Sequence, residues 1–128
     1  DIGVHYDRIM HNREEVSFEE DAGGLCINQA CTPHTGGTAT GAEAIVAAIS
    51  LGEAIGKDTS ALRRQLKDTF QYLRNSQITA DDTFWIPDDA AAIGGFYDSQ
   101  SKLKLRIDTT QHAISALLRG AKWVENMP

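Results

Sequence analysis

Three side chains of this sequence could move protons. Asp108 and His112 stand four residues apart, so on a helix they share one face, where a carboxylate can orient or charge an imidazole. Glu43 belongs with them through an internal repeat. With Ala113 placed on Ala44, the segment 40–49 lies over 109–118, an offset of 69 residues that puts Glu43 at the position of His112. Upstream, Gly23-Gly24-Leu25 then falls opposite Gly94-Gly95-Phe96 with a gap of two. A pair of carboxylates with an imidazole is a general acid–base set. The same residues also have an ordinary structural reading. Asp108-x-x-Gln111 and Thr40-x-x-Glu43 both match capping boxes at helix starts, and His112 fits a hydrogen-bonded, partly buried histidine.

The elements that position these groups read as helices. From about Gly41 to Ile55 the chain is apolar almost all the way round, as in a helix buried on most of its circumference. Gly56 suits the left-handed position after its end, and Asp58 the N-cap of a second helix over about Thr59–Ser76. So short a link makes the two an antiparallel hairpin. The second helix is amphipathic, with Leu62, Leu66, Phe70 and Leu73 in one stripe. Residues 78–106 read as a long connection with one strand-like alternation at 102–107, pinned by Phe84, Trp85, Ile86 and Phe96. The last helix, about Thr109–Glu125, repeats the first. Residues 2–13 read as the end of a helix and Glu14–Asp21 as a solvated acidic link.

Bulk properties narrow the function. The chain has 128 residues, 41% hydrophobic and 23% charged, the composition of one soluble globular domain. A net charge of -6 and a pI near 5.1 argue against nucleic acid; the one basic cluster, Lys102, Lys104 and Arg106, is too small for a duplex site. No apolar run is long enough for a membrane span, and no signal-peptide pattern opens the chain. Cys26 and Cys31 are a disulfide pair or structural thiols, since with His34 they match no strong zinc signature. Asp81, Asp82, Asp88 and Asp89 lack calcium-loop spacing and read as a solvated loop. Neither a metal nor a cofactor is expected, and the compartment is left open.

The order amphipathic, buried, amphipathic, buried predicts an all-α fold of two layers, with inner helices touched on all sides and outer ones half exposed. Long Gly-rich loops then gather where the inner helices begin, at unpaired N–H groups and the positive dipole ends. Tyr72-Leu73-Arg74-Asn75-Ser76-Gln77, a loop, Gly94-Gly95-Phe96 and Asp108–Leu118 resemble a repeat of the α/α-toroid proteins. That superfamily includes terpenoid cyclases and protein prenyltransferases and is architecturally similar to the six-hairpin glycosidases and lyases. The resemblance spans about residues 4–124, repeat 1 being about 4–76 and repeat 2 about 77–124 of a single partial domain. It departs at Phe96, where Trp is usual, in its longer insert after Gln77, and in lacking both an Asp-x-Asp-Asp acid motif and a zinc triad. A complete ring needs about twice this length, so the chain, which begins at Asp1, is expected to be a fragment or partial ring.

The resemblance implies a rim made of His34, Thr38, Thr40 and Glu43 from one repeat and Arg106, Asp108, Thr109, Gln111 and His112 from the other. Glu43, Asp108 and His112 are the expected catalytic residues, and His34, Thr38, Thr40, Arg106 and Gln111 the expected substrate-binding ones. The mouth is polar and poor in aromatics, which suits a carbohydrate rather than an isoprenoid cation. Helices packed about 8–10 Å apart would bring Glu43 and Asp108 to roughly the 6.5–9.5 Å used by inverting glycosidases. The expected function is therefore a glycosidase- or lyase-type enzyme acting on a polar small molecule or polysaccharide. The alternatives are a non-catalytic helical repeat scaffold and, third, a terpenoid cyclase- or prenyltransferase-like enzyme.

Overall fold

Ala-rich sequence after Gly36-Gly37 winds into helix α1, Thr35–Ala54. The computed structural model describes residues 16, 18–26, 32–86, 89–99 and 102–125; the helix expected over 2–13, His5, His11, Cys31 and Asp88 lie outside them. Helix α1 starts six residues before the expected Gly41. Nothing between 35 and 40 stops a helix, and Thr40 Oγ1 donates to the Gly36 carbonyl at 2.9 Å instead of capping. His34 takes the N-cap position without a side-chain cap, so the Thr40-x-x-Glu43 box does not form. At the other end Gly56 has a φ of 67°. There Lys57 N–H donates to the Gly52 carbonyl (2.8 Å) and Gly56 N–H to that of Glu53 (3.1 Å), which is a Schellman stop.

Helix α2, Ser60–Asn75, follows at once. Thr59, not the expected Asp58, holds its N-cap position, without a side-chain cap; Asp58, one residue earlier, accepts from the Ser60 amide at 2.9 Å through Oδ1. The expected stripe is present: Leu66, Phe70 and Leu73 are buried, with Leu62 packed against them. Arg63 near the start of α2 pairs with Glu53 near the end of α1, and the Tyr72 hydroxyl near the end of α2 lies close to Thr35 at the start of α1. The two helices are antiparallel.

The connection that follows is built from short pieces. Tyr97 N–H donates to the Ser76 carbonyl (3.0 Å) and Ile78 N–H to that of Gly95 (2.9 Å), so the chain returns to the end of α2. Between lie a 3-10 turn, Ala80–Trp85, and one helical turn, α3, Asp89–Ala92. Strands β1, Tyr97–Ser99, and β2, Lys102–Leu105, pair antiparallel with Tyr97 opposite Leu105 and Ser99 opposite Lys102. Phe96 is buried in the main core, and Ile78, Ala92 and Tyr97 form a second small cluster against Ile86. Phe84, expected to pin this loop, is 90% exposed. Asp82 Oδ2 ties the turn to the Thr79 amide (2.8 Å) and hydroxyl (2.7 Å), and Phe84 is left facing out. Nor is the acidic link wholly solvated, since Asp21, in the 3-10 turn Glu19–Asp21, is buried.

Helix α4, Ile107–Val124, lies beside α1. Four contacts fix how. Thr109 Oγ1 lies 3.1 Å from where a Cβ on Gly36 would sit, and Val46 Cγ2 lies 2.9 Å from that point on Gly120. Glu43 meets His112, and Trp123 Nε1 donates to Glu53 Oε1 at 2.8 Å. Partners stay near 70 residues apart along both helices, so α1 and α4 run parallel and in register. Leu66 and Phe70 of α2 also converge on Gly120, which sets α2 antiparallel across the pair.

This geometry corrects the repeat. Ala42 and Ala113, Thr38 and Thr109, and Ile49 and Gly120 are buried counterparts, an offset of 71 residues. Gly23 and Gly94 share it, with φ of 84° and 88°. The offset of 69 would set buried Ala113 on exposed Ala44; the gap of two disappears, and Glu43 and His112 are not equivalent. Burial of α1 is also narrower than expected. One face is covered, through Thr38, Ala42, Ile45 and Ile49, while Ala44, Leu51 and Ile55 are exposed. Among the described residues only α2 and α4 pack on it extensively.

Two glycines should respond in opposite directions to alanine. At Gly120 a Cβ would sit 2.6 Å from Phe70 Cζ, so Gly120→Ala is expected to destabilise by about 1–3 kcal/mol. At Gly37 it would meet nothing within 4 Å on exposed helix, so Gly37→Ala is expected to stabilise by about 0.5–1 kcal/mol. Urea unfolding midpoints of both variants check this.

Candidate functional site

The parallel register of α1 and α4 brings Glu43 against His112, with Oε2 2.7 Å from Nδ1. Both side chains are partly exposed. His112, Ser115 and Arg119 follow one another on the same face of α4, at spacings of three and four, and all three act on Glu43. The Ser115 hydroxyl, donating to the Glu43 carboxylate, holds it below its ordinary range, helped by His112 and the Arg119 charge and opposed by partial burial. Glu43 therefore stays ionised at neutral pH. A carboxylate at Nδ1 sets the neutral imidazole with its hydrogen there, leaving Nε2 with a free lone pair.

Asp108 does not orient His112. Arg106 grips it in a two-pronged pair, Nε to Oδ1 at 3.0 Å and Nη2 to Oδ2 at 2.6 Å, on open surface. Asp108 Oδ1 also accepts from the Thr109 amide at 2.9 Å, at the start of α4. The Arg106 guanidinium, with that backbone contact, lowers the Asp108 pKa. Asp108 is thus a first-turn residue of α4, and Arg106 holds the N-cap position.

Of the expected binding residues, His34 sits at the N-cap of α1 with Nε2 2.8 Å from Asp98 Oδ1. Asp98, on β1, is buried. Burial, with the charges of Asp21 and Asp98 added to it, pushes the Tyr72 hydroxyl up to about 12. Thr38 is not on the rim: it is fully buried, and its hydroxyl accepts from the Leu25 amide at 3.0 Å. Thr40 is exposed inside α1, and Gln111 is exposed on α4 beside His112. His34, Arg106, Asp108 and Thr109 gather at the starts of the two parallel helices. The Glu43–His112 pair stands seven residues past Gly36, about 10 Å further along α1.

Sequence reasoning missed Ser115, Arg119, Asp98 and Glu53. Ser115 and Arg119 were findable, since they share a helical face with His112. Asp98 and Glu53 carried no local signal; Glu53 joins three helices by accepting from Trp123 and pairing with Arg63. Cys26 is disulfide-bonded, and the sequence's other cysteine is Cys31. Among the described residues no group of three or more His, Cys, Asp or Glu side chains is placed to hold a metal ion. No helix among them is long and apolar enough to cross a membrane. Comparison with protein-family models, curated proteins and solved structures finds no match for this chain.

The lowered pKa of Glu43 links it to stability. A carboxyl held down in the folded state contributes stability that is fully present above its unfolded value, near 4.5, and is lost as pH falls through the folded value. Glu43→Gln removes that contribution. Wild type is expected to exceed Glu43→Gln in urea midpoint at pH 7, with the difference shrinking as the pH is lowered below about 4.5. Urea titrations of both proteins across that range check the sign.

Proposed function

We propose that this chain is part of an α/α-toroid enzyme unit that binds a carbohydrate where its parallel helices begin and transfers a proton through His112. One observation carries the reading: a half-exposed imidazole whose Nδ1 is engaged by an ionised carboxylate from the neighbouring helix. The toroid assignment is supported by two parallel helices with an antiparallel one laid across them, which is the inner–outer–inner order of such a unit.

Both carboxylates of the expected pair, Glu43 and Asp108, are held below their ordinary range. A glycosidase needs one carboxyl raised so that it carries a proton to the leaving oxygen. The chemistry therefore favours His112 as general base over a two-carboxylate mechanism. Its Nε2 takes a proton from water in a hydrolase or from a sugar C–H in a lyase, and Glu43 stabilises the imidazolium that forms. His34, Thr40, Arg106 and Gln111 supply hydrogen-bonding groups of the kind that hydroxylated ligands use. An isoprenoid cation would want aromatic faces, and the groove beside Ile93, Leu105 and Ile107 is lined by none.

Turnover of a panel of neutral and acidic polysaccharides by the full chain, with reducing ends and unsaturated products both monitored, tests the reading. Removing a general base costs about 10²–10⁴-fold. His112→Ala is expected to lose at least about 100-fold in kcat with unchanged helicity, and Ser115→Ala to lose less. Turnover undiminished in His112→Ala would refute the proposal. Polysaccharide binding without turnover would favour the non-catalytic scaffold.

A further inference from the structure

Breaking a sugar C–O bond needs a proton for the leaving oxygen as well as a base. Glu43 and Asp108 are both held below their ordinary range, so neither carries that proton near neutrality.

A second imidazole stands on the same seam. His34 holds the N-cap position of α1, and β1 brings Asp98 beneath it, with Nε2 2.8 Å from Oδ1. The His34 side chain is 46% exposed and that of Asp98 only 9%. A buried carboxylate is costly unless a positive group pairs with it. Among the described residues His34 is the one salt-bridge partner Asp98 has. The Arg106 charge also reaches Asp98, but its guanidinium is gripped by Asp108. Protonated His34 therefore serves as the counter-ion of Asp98. An imidazolium carries hydrogen on both nitrogens; with Nε2 turned to Asp98, Nδ1–H is the one left to give away. Nδ1 is not spent on the helix start, since His34 makes no side-chain cap.

Gly36 places this ring beside the dyad. The point where its Cβ would sit is 3.5 Å from His34 Nδ1 and 3.1 Å from Thr109 Oγ1. Gly36 stands two turns before Glu43 on one face of α1, and Thr109 one turn before His112 on α4. Helical side chains lean toward the start of their helix, which inclines His112 toward His34. One to two turns separate the two rings, on the order of 5–10 Å. That range includes the roughly 6.5–9.5 Å between acid and base in inverting glycosidases.

We infer that His34, salt-bridged to Asp98, is the general acid opposite His112. This role rests on the carbohydrate reading of the site. In a hydrolase, His112 Nε2 takes a proton from the water that attacks the sugar carbon. The C–O bond breaks, and the leaving oxygen takes the Nδ1 proton of His34. In a lyase, His112 takes the C–H proton, the freed electron pair forms a C=C bond, and the departing oxygen is protonated in the same way. Each cycle leaves His112 charged and His34 neutral, and exchange with solvent resets both.

Leaving-group dependence tests this in the full chain. The substrates are the polysaccharide that wild type turns over and a derivative in which 2,4-dinitrophenol replaces the leaving sugar. That phenol departs as an anion and needs no proton. His34→Gln keeps an amide for Asp98 but has no proton to give, and His34→Ala keeps neither. Rates are taken per folded protein, measured by circular dichroism. Both variants are expected to lose about 100-fold or more in kcat on the polysaccharide and to stay within a few-fold of wild type on the phenol derivative. His112→Ala is expected to lose on both. The alkaline fall of wild-type kcat/KM, where His34 gives up its proton, is expected to vanish in His34→Gln. Of the groups around it, Asp108 is held ionised, Arg106 is raised further above its ordinary value, and Tyr72 is pushed up to about 12, so none of them produces that limb. Equal losses on both substrates, or undiminished polysaccharide turnover, in the His34 variants would overturn the acid and leave His112 as the base. A wild type that turns over neither substrate would refute the carbohydrate reading and the acid with it.

Discussion

Gly120 has no side chain, and Val46 of α1 together with Leu66 and Phe70 of α2 fill the space a Cβ would need. Three helices therefore meet at one point, which draws α4 close to α1. The alanines of α1 and α4 extend that contact, with Ala39, Ala42, Ala113 and Ala116 all fully buried. Small residues allow a close approach, and the approach sets the register. Glu53 then secures the far end, accepting from Trp123 while pairing with Arg63.

From that register comes the site. Glu43 and His112 are distant in sequence and make no local pattern, yet parallel packing sets them 2.7 Å apart. The polar groups around Glu43 all favour its charged form, so it serves as a fixed anion and not as a proton donor. Asp108 has a different fate, in the first turn of its helix. Arg106, two residues earlier, reaches it first, and the pair closes on itself at the surface. Capping and chemistry compete for the same carboxylates in such helix starts. Here Asp108 serves the helix start, while Glu43, two turns inside α1, is free to face another helix.

Helix existence was legible because apolar periodicity reports burial directly. The stripe of α2, the Gly56 stop and the Asp58 turn all rest on local chemistry, and each is present. The start of α1 was not legible, since Thr35–Thr40 looks like loop by composition and only the absence of a stronger alternative lets it wind. The two-residue slip in the repeat has a similar origin. Alanine-rich helices match themselves at several offsets, and burial, which sequence alone does not display, selects 71. Thr38 and Phe84 lie elsewhere than expected for a shared reason: residue type does not fix location. A threonine hydroxyl can be buried when it accepts from a backbone amide, and a phenylalanine can be left in solvent when its turn is fixed by polar contacts.

Pulsed electron-spin distances between labels on the two helices test the parallel register most directly. Thr40, Leu51, Gln111 and Lys122 are all exposed and suit labelling. Parallel helices offset by 71 residues require the 40–111 and 51–122 distances to agree, with the 40–122 distance longer, its ends being displaced by a further 16 Å or so along the axis. A 40–122 distance as short as 40–111 would contradict the parallel arrangement, and with it the placement of Glu43 against His112.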